Sequence, residues 1–306
     1  MEGSRSRQTS GCSYVRPKLR LSPKHLNSGE PSYTPHVIVS IRFYLLVISI
    51  AMLIVVSPAK TLDYETPLPV DKATQPLFKK RSAELIEVLL DYTPAQLGKL
   101  MSISDKLAEL NVNRYGDWQL KATKSNARPA LLAFKGDVYK GMDAATFKSA
   151  DFDFAQEHLA ILSGLYGVLR PLDLMQPYRL EMGTKLKNPS GDNLYEFWGD
   201  DITKALNKQL KKNAGDVLVN LASIEYFNAV HPDQLNARII APVFKDFKNG
   251  KYKIISFFAK KARGSMAGWI IRKKISDAKK LIKFNEDGYK YCAEESTPDK
   301  PVFLRD

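Results

Sequence analysis

The chain contains few of the residues that hold metal ions or form disulfide frameworks. Among its 306 residues are two cysteines, Cys12 and Cys292, and four histidines. The cysteines form no C-x-x-C pair, which excludes a zinc ribbon and a thioredoxin-type motif. No two histidines are spaced as in an H-E-x-x-H helix, which excludes that class of zinc hydrolase. We therefore expect neither a metal centre nor a cofactor, and the cysteine usage is typical of a reducing, cytoplasmic compartment.

Nucleotide-binding loops and long apolar runs are also missing. The chain has no G-x-G-x-x-G or Walker loop, and the turn between Gly164 and Gly167 is too short for a dinucleotide phosphate cradle. Its longest apolar stretch free of charged residues, from Phe43 to Val56, is shorter than the roughly 20 residues that span a bilayer.

The first fifty residues differ in composition from the rest of the chain. Residues 1–36 are rich in Ser, Pro, Arg and Lys without apolar periodicity, which is typical of disorder. The apolar stretch 37–56 that follows has two interpretations. It is a membrane anchor, or residues 52–57 form a buried first strand and residues 37–51 are an appendage. We prefer the second, because a helix through the whole stretch would consume a strand that the following domain needs.

This interpretation sets the domain boundaries and assigns the basic side chains to two parts of the chain. We predict an extension over residues 1–51, either unprocessed or the product of a start codon placed too early. A single domain follows over residues 52–306 and does not enter a membrane. The net charge is +13, and the extension carries seven basic and two acidic side chains. The excess of basic over acidic side chains in residues 52–306 favours binding of polyanions or anionic ligands, although it also serves solubility.

Helical and strand patterns follow one another without a regular β-α-β repeat, which predicts a mixed α+β class and one compact domain. Helical spacing and cap signals cover the segments 75–91, 94–113 (as two short helices), 152–161, 194–210 and 259–275. Strand patterns cover the segments 217–221, 288–293 and 301–304, and a short apolar segment over residues 133–139 ends at Lys140-Gly141. A hairpin is predicted at Asn249-Gly250, between residues 238–247 and 251–258.

The segment Leu100–Ala108 resembles the hairpin of a helix-hairpin-helix DNA-binding element. Its apolar positions match, whereas Ser102 and Ser104 replace the two hairpin glycines. A tight turn before a helix directs backbone N–H groups toward a phosphate, Ser104 can cap that helix, and Lys106 adds charge. The alternative is an ordinary corner between two helices, capped by serine.

An irregular loop over residues 162–183 carries two arginines. Long ordered loops are often functional, and Arg170 and Arg179 offer planar guanidinium groups for a phosphate or a carboxylate. We therefore place both in a candidate anion site. The alternative is that they pair with Asp173 and Glu181 and only fix the loop.

A basic cluster with Lys260, Lys261 and Arg263 follows a predicted strand and opens a helix. Cations are unfavourable at a helix N-terminus, so a bound anion or a carboxylate partner would have to offset them. The alternative is a solvated basic turn.

Polar side chains also follow several predicted strands. Lys60 comes directly after the first strand, at the kind of strand end where α/β sheets bind ligands. Lys135 lies beside another short apolar segment. Four further residues could line the same pocket or merely cap helices, and they are Asp137, Asn220, Ser223 and Glu225.

Together and in this order, these segments resemble the YaaA family of peroxide stress resistance proteins. The resemblance covers nearly the whole chain from Met52, and its most specific string is the loop 162–183. Other matching strings are MLIVVSPAKTLDY (52–64), ISDKLA (103–108), AFKGDVY (133–139), NLAS (220–223), EYF (225–227) and KIISFFAKKARG (253–264). The chain departs from the family pattern at Ile224, where an acidic residue is expected, and this leaves Glu225 as the carboxylate there.

The resemblance implies a cytoplasmic protein that helps bacteria survive hydrogen peroxide by limiting free iron. It also implies a single compact domain of unusual topology, with a helix-hairpin-helix-like element and a positively charged cleft that binds duplex DNA. The family's reaction is poorly defined, so the resemblance indicates a pathway rather than a reaction. We favour a non-enzymatic role and keep an enzyme as the alternative.

Three functions remain as alternatives. The first is binding of double-stranded DNA through one concave face that carries Lys60, Ser104, Lys106, Lys135, Arg170, Arg179, Lys260, Lys261 and Arg263. The second is an enzyme acting on a small anionic or nucleotide-like substrate, with Asp137 or Glu225 as the proton-transfer group. The third, direct iron sequestration, ranks last because His158, His231 and Cys292 have no metal-ligand spacing. An enclosed pocket would favour the enzyme, and a groove wide enough for a duplex would favour DNA binding.

Overall fold

The computed structural model describes residues 52–306 of the chain. The expectations for residues 1–51 lie outside the described residues. Within the described part, helices and strands follow one another in mixed order, which confirms the α+β class. None of the helices between Met52 and Asp306 combines the length and the apolarity needed to cross a membrane.

The helices are short, apart from the one near the end of the chain. The α-helices are α1 Lys79–Leu90, α2 Pro94–Met101, α3 Asp105–Gly116, α4 Ala130–Ala133, α5 Asp137–Met142, α6 Ser149–His158, α7 Leu194–Trp198, α8 Asp201–Lys212, α9 Ile224–Phe227 and α10 Ser256–Arg272. Single 3₁₀ turns or short 3₁₀ segments cover Ala144–Thr146, Pro232–Gln234, Ala278–Lys283 and Glu286–Gly288.

The strands form two larger sheets and two pairs of very short strands. They are β1 Met52–Val56, β2 Thr61–Leu62, β3 Arg128–Pro129, β4 Phe134–Lys135, β5 Leu159–Ser163, β6 Gly167–Leu169, β7 Leu174–Met175, β8 Val217–Leu221, β9 Arg238–Ile240, β10 Val243–Lys248, β11 Lys251–Lys253, β12 Lys290–Thr297 and β13 Lys300–Arg305. The short pairs are β2 with β4 and β3 with β7.

The first sheet has the order β6-β5-β1-β8-β9, with β1 at its centre. β1 is parallel to both β5 and β8, and all five of its residues are buried. A strand covered on both faces needs an unbroken apolar run, which is why this segment shows no polar alternation. Each of its side chains contributes about 1.5–3 kcal/mol on burial. The predicted first strand is therefore confirmed.

The second sheet has the order β11-β10-β13-β12 and packs around an aromatic cluster. The ring of Phe303 lies 5.5 Å from that of Phe244 and 5.6 Å from that of Phe284. The predicted turn at Asn249-Gly250 joins β10 and β11 as a hairpin. The hairpin is shorter than predicted, because Arg238–Ile240 pairs with β8 in the first sheet instead.

Two helix predictions are wrong in their extent. The segment 194–210 forms two helices, because Gly199 adopts a φ of +42° that ends α7 before α8 begins. The segment 152–161 is helical only to His158. The chain then continues as β5, which is wholly buried between β1 and β6, so pairing in the sheet overrides local helical spacing.

The crossing of α5 and α10 brings two backbones into direct contact. A Cβ at Gly264 of α10 would overlap the carbonyl oxygen of Val138, and a Cβ at Gly141 of α5 would overlap that of Lys261. Only glycine allows this approach. The predicted end of a structural segment at Lys140-Gly141 is therefore wrong, since α5 continues to Met142 and uses Gly141 as a contact.

We expect Gly264→Ala to lower the free energy of unfolding by about 2 kcal/mol, because the added methyl group forces the two helices apart. Denaturant unfolding of the full chain measures this change. Gly116→Ala is the matched control, since a Cβ at Gly116 meets nothing within 4 Å. Equal stability of the two variants would contradict the close crossing.

Candidate anion-binding site

A cavity of about 870 Å³ lies at the carboxyl ends of β1 and β8, which are neighbours in the first sheet. Val56 pairs with both Ile161 and Leu221, so the chain segments that follow these strands emerge at one edge. Residues 57–61 and 221–226 contribute to the walls, as do α5 and α10. This is the edge at which open α/β sheets bind their ligands.

Six basic side chains of the described residues line this cavity, and they come from four separate parts of the chain. They are Lys60 after β1, Lys135 and Lys140 around the start of α5, Arg179 after β7, and Lys260 and Arg263 on α10. All except Lys140 were candidates on sequence grounds. The fold thus brings together five predicted cations that are distant in sequence.

Arg263 is a partly desolvated cation. Burial lowers the pKa of its guanidinium group from the usual value, and no charged neighbour acts in the opposite direction. Within residues 52–306, no carboxylate oxygen lies within 4.0 Å of the Arg263 guanidinium, so Arg263 forms no ion pair there. A half-buried charge without a counter-charge is unfavourable, so an anion entering the cavity would be stabilised here.

Three other cations of the cavity already have carboxylate partners. Glu181 bridges two of them, with one carboxylate oxygen 2.7 Å from Lys60 Nζ and the other 3.0 Å from Arg179 Nη2. Lys135 lies 3.3 Å from Asp63. Hydrogen bonds from Thr66, with a smaller contribution from Lys135, hold the pKa of Asp63 well below its usual range. These pairs orient the lysines and reduce the charge they offer to a ligand.

Both carboxylates proposed for proton transfer line the cavity. Asp137 is the first residue of α5 and is half-buried. One carboxylate oxygen of Glu225 accepts a hydrogen bond of 3.0 Å from the backbone N–H of Gly183. Tyr195 donates to the Glu225 carbonyl oxygen, so this residue is fixed at both its backbone and its side chain.

Neutral hydroxyl groups form the deeper part of the cavity. Ser57 Oγ accepts a hydrogen bond of 2.8 Å from the Ser223 N–H and donates one of 3.2 Å to Ser223 Oγ. Tyr139 donates to the Ser57 carbonyl oxygen. Burial raises the pKa of Tyr139, Tyr178 and Tyr226, so these phenols stay protonated at neutral pH. Asn220 lies outside the lining and instead accepts a hydrogen bond from the Ala222 N–H.

Arg170 does not reach the cavity. Its guanidinium donates to Asp173 at 2.8 Å and to the Gln75 carbonyl oxygen at 3.3 Å. Asp173 is almost fully buried, and this burial raises its pKa despite the arginine. Both arginines of the loop therefore make the ion pairs of the structural alternative, but Arg179 also lines the cavity whereas Arg170 only supports the loop.

Three further candidates also lie outside this lining. Ser104 and Lys106 are exposed at the start of α3, and Ser104 makes no side-chain capping bond to that helix. Lys261 faces a neighbouring pocket, where it lies 3.3 Å from Asp287. α10 begins at Ser256, so Lys260 stands in its second turn and the expected penalty for a cation at the N-terminus does not arise.

The segment before α3 forms a tight connection between two helices, as predicted. Thr93 starts α2 with a capping box, in which it exchanges hydrogen bonds with Gln96. Ser102 ends α2 in the left-handed region with a φ of 49°, and the Ile103 N–H donates to the Gly98 carbonyl oxygen. The geometry leaves the N-terminus of α3 open to solvent.

Sequence reasoning missed several lining residues. Lys140, Ile254 and Ser256 carry no motif of their own and reach the cavity only through the crossing of α5 and α10. Between Met52 and Asp306, no group of three or more His, Cys, Asp or Glu side chains is arranged to hold a metal ion.

A comparison with known protein families finds a match over most of the chain. The model of the family described as peroxide stress protein YaaA matches residues 52–295. The chain belongs to this family. Ile224, where the resemblance led us to expect an acidic residue, is 81% exposed at the cavity next to Glu225.

We expect Arg170→Ala to lower the free energy of unfolding by about 2 kcal/mol at neutral pH, because it leaves the buried Asp173 carboxylate without its counter-charge. The loss should shrink as the pH falls through the raised pKa of Asp173, since protonation removes the buried charge. Chemical denaturation at several pH values measures both effects.

The control is Lys124→Ala, which removes an ion pair with the exposed Asp71 and should change stability by less than about 1 kcal/mol. A variant Arg170→Ala that loses no more stability than Lys124→Ala would contradict the supporting role of Arg170.

Proposed function

We propose that this YaaA family member is a DNA-binding protein of the peroxide stress response, and that the cations around the cavity contact DNA phosphates. The supporting observation is the meeting of Lys60, Lys135, Arg179, Lys260 and Arg263 at one cavity from distant parts of the chain. A cluster of this kind is the electrostatic footprint of a polyanion partner.

The proposal depends most on the cations that form no ion pair within the described part of the chain. Neither Lys260 nor Arg263 forms an ion pair with any residue from 52 to 306, and Lys260 is exposed. Lys60 and Lys135 are paired, but their side chains remain 63% and 58% exposed, so a phosphate can compete with Glu181 and Asp63. Phosphate contacts of this type provide affinity and position without reading sequence.

A cavity of about 870 Å³ is too small to enclose a duplex, so the DNA backbone lies across its mouth. The exposed start of α3, with Ser104 and Lys106, forms a second phosphate contact, since its N–H groups and helix dipole favour an anion. Lys261 extends the basic surface along α10.

Counterion release provides a route from DNA binding to protection against iron. A protein that neutralises phosphates displaces the cations condensed around the duplex. Ferrous ions are among those cations in an iron-replete cell, so occupied DNA retains fewer of them where peroxide would react. This route requires no iron site in the protein.

Salt titration of duplex binding by the full chain tests the proposal. If about five phosphates are neutralised, log K should fall against log salt with a slope near −4.5. Lys260→Ala, Arg263→Ala and Lys106→Ala should each make the slope less negative by about 0.9, because each removes one phosphate contact. Electrophoretic shift or anisotropy measurements over a salt series give these slopes.

Lys208→Ala is the matched control, since Lys208 is exposed on α8 and lines neither pocket. Its slope should equal that of the unchanged protein. Nicking of plasmid DNA by ferrous iron and peroxide provides a second readout, and protection should fall in Lys260→Ala in step with DNA occupancy. A salt-independent affinity, or protection at concentrations where DNA is unbound, would reject the proposal.

An enzyme acting on a small anion is the second candidate, and the cavity volume favours it. Small-molecule sites measure about 300–1,000 Å³, and this cavity falls within that range. Arg263 would hold the anion, and Asp137 or Glu225 would transfer the proton.

If this candidate is correct, we expect adenosine monophosphate and inorganic phosphate to bind saturably to the full chain at a salt concentration that abolishes DNA binding. Arg263→Ala should remove this binding, because the guanidinium is the cation without a partner, and Lys208→Ala should retain it. Isothermal titration calorimetry measures both. The absence of saturable binding of either probe would leave DNA binding as the function of the cavity.

A further inference from the structure

A second pocket, of about 340 Å³, lies beside the cavity, and neither function above uses its aromatic side chains. Two residues, Asp137 and Lys140, line both spaces. The other lining residues are Phe257, Phe258, Lys261 and Arg305. We call this second space the aromatic pocket.

The apolar part of the aromatic pocket is accessible to a partner. Phe257 and Phe258 occupy the first turn of α10, with their ring centroids 5.6 Å apart. Phe258 lies under the Arg305 guanidinium at 4.5 Å, whereas Phe257 is 56% exposed and the nearby Ile254 is 58% exposed. Neighbouring apolar side chains with this exposure are typical of interaction sites, and burying one of them contributes about 1.5–3 kcal/mol.

Three cations and one carboxylate, Asp137, line the aromatic pocket, so the charge of its lining is positive. Lys261 and Arg305 are engaged by Asp287 and Asp246, respectively. Lys140 and the adjacent Lys260 are exposed and form no ion pair with any described residue. A partner that buries an apolar group here therefore gains by carrying negative charge close to that group.

Charge also argues against a second copy of the chain as the occupant. A second copy of the chain would bring Lys140 and Lys260 against their own counterparts across a symmetric interface, which like-charge repulsion opposes.

Shape and hydrogen bonding argue against lipid and nucleobase occupants. The pocket is concave and suits one inserted side chain better than a flat membrane surface. Recognition of an unpaired base requires several free hydrogen-bonding groups around its edges. Here Lys261 and Arg305 already donate to carboxylates of the protein, which leaves little capacity for a base.

We infer that the aromatic pocket binds an acidic segment of a partner protein, which inserts one large apolar side chain against Phe257 while its carboxylates face Lys140 and Lys260. The site adjoins the proposed DNA contact, so a partner docked there would lie next to bound DNA. The inference does not depend on DNA binding, because Phe257 is not among the phosphate contacts.

Fluorescence anisotropy with a labelled, aspartate-rich peptide that contains a single phenylalanine tests this inference on the full chain. We expect saturable binding that Phe257→Ser weakens at least about tenfold, since the residue acts as the apolar anchor of the interface. Lys140→Glu should weaken binding several-fold, and this effect should decrease at high salt. A peptide with serine in place of its phenylalanine should not bind.

Phe247→Ser is the matched control, because Phe247 on β10 is a similarly exposed phenylalanine, at 52%, that lines neither pocket. It should bind the peptide as the unchanged protein does. Both variants should keep the duplex affinity, which separates this inference from the proposed function.

Two further probes complete the experiment. An oligothymidylate strand tests a base in the pocket, and vesicles with anionic phosphatidylserine test a lipid surface. Loss of either interaction in Phe257→Ser would overturn the inference, as would absence of saturable peptide binding or equal peptide binding by Phe257→Ser and Phe247→Ser.

Discussion

The contact of α5 with α10 through their glycines is the constraint on which both pockets depend. It places the backbone of one helix against that of the other at Gly141 and Gly264, with no side chain between them. The start of α5 therefore lies beside Lys260 and Arg263, and Asp137 and Lys140 reach both the cavity and the aromatic pocket. Larger residues at Gly141 and Gly264 would push α5 and α10 apart and separate the charged residues that line the two pockets. The positions of these charges therefore depend on the two glycines.

The distribution of ion pairs then determines what each cation can do. Glu181 fixes Lys60 and Arg179 in place, so these residues shape the cavity before any ligand arrives. Arg263 is held by packing alone and lacks a carboxylate partner in the described chain, which makes it the group most stabilised by an incoming anion. The paired cations Lys60 and Arg179 are already held in place, which lowers the entropic cost of binding a ligand. Arg263 supplies the electrostatic gain when an anion binds.

The sequence was informative at several positions where a local rule applied. The unbroken apolar run of β1, the Thr93 cap and the Asn249-Gly250 turn each report a local requirement, and all three were predicted correctly. Lys60 could be placed because the carboxyl end of a strand is a known site of ligand binding.

The sequence could not predict which residues line the cavity where tertiary contacts determine their positions. Arg170 and Arg179 lie in the same loop and look equivalent in sequence, yet only Arg179 lines the cavity, because the buried Asp173 holds Arg170 elsewhere. Lys140 and Ile254 become part of the lining only through a helix crossing that no local pattern reveals.

The central position of β1 has a consequence for how the chain folds during synthesis. Its two neighbours are β5 and β8, which follow much later along the chain, so the strand leaves the ribosome long before either partner exists. Pairings between such distant segments make folding slow and keep apolar surface exposed in the meantime. The nascent domain must therefore carry the wholly apolar β1 unpaired until β5 has emerged at residue 163, and with one free edge until β8 has emerged at residue 221. During that interval it exposes the kind of apolar surface that chaperones bind.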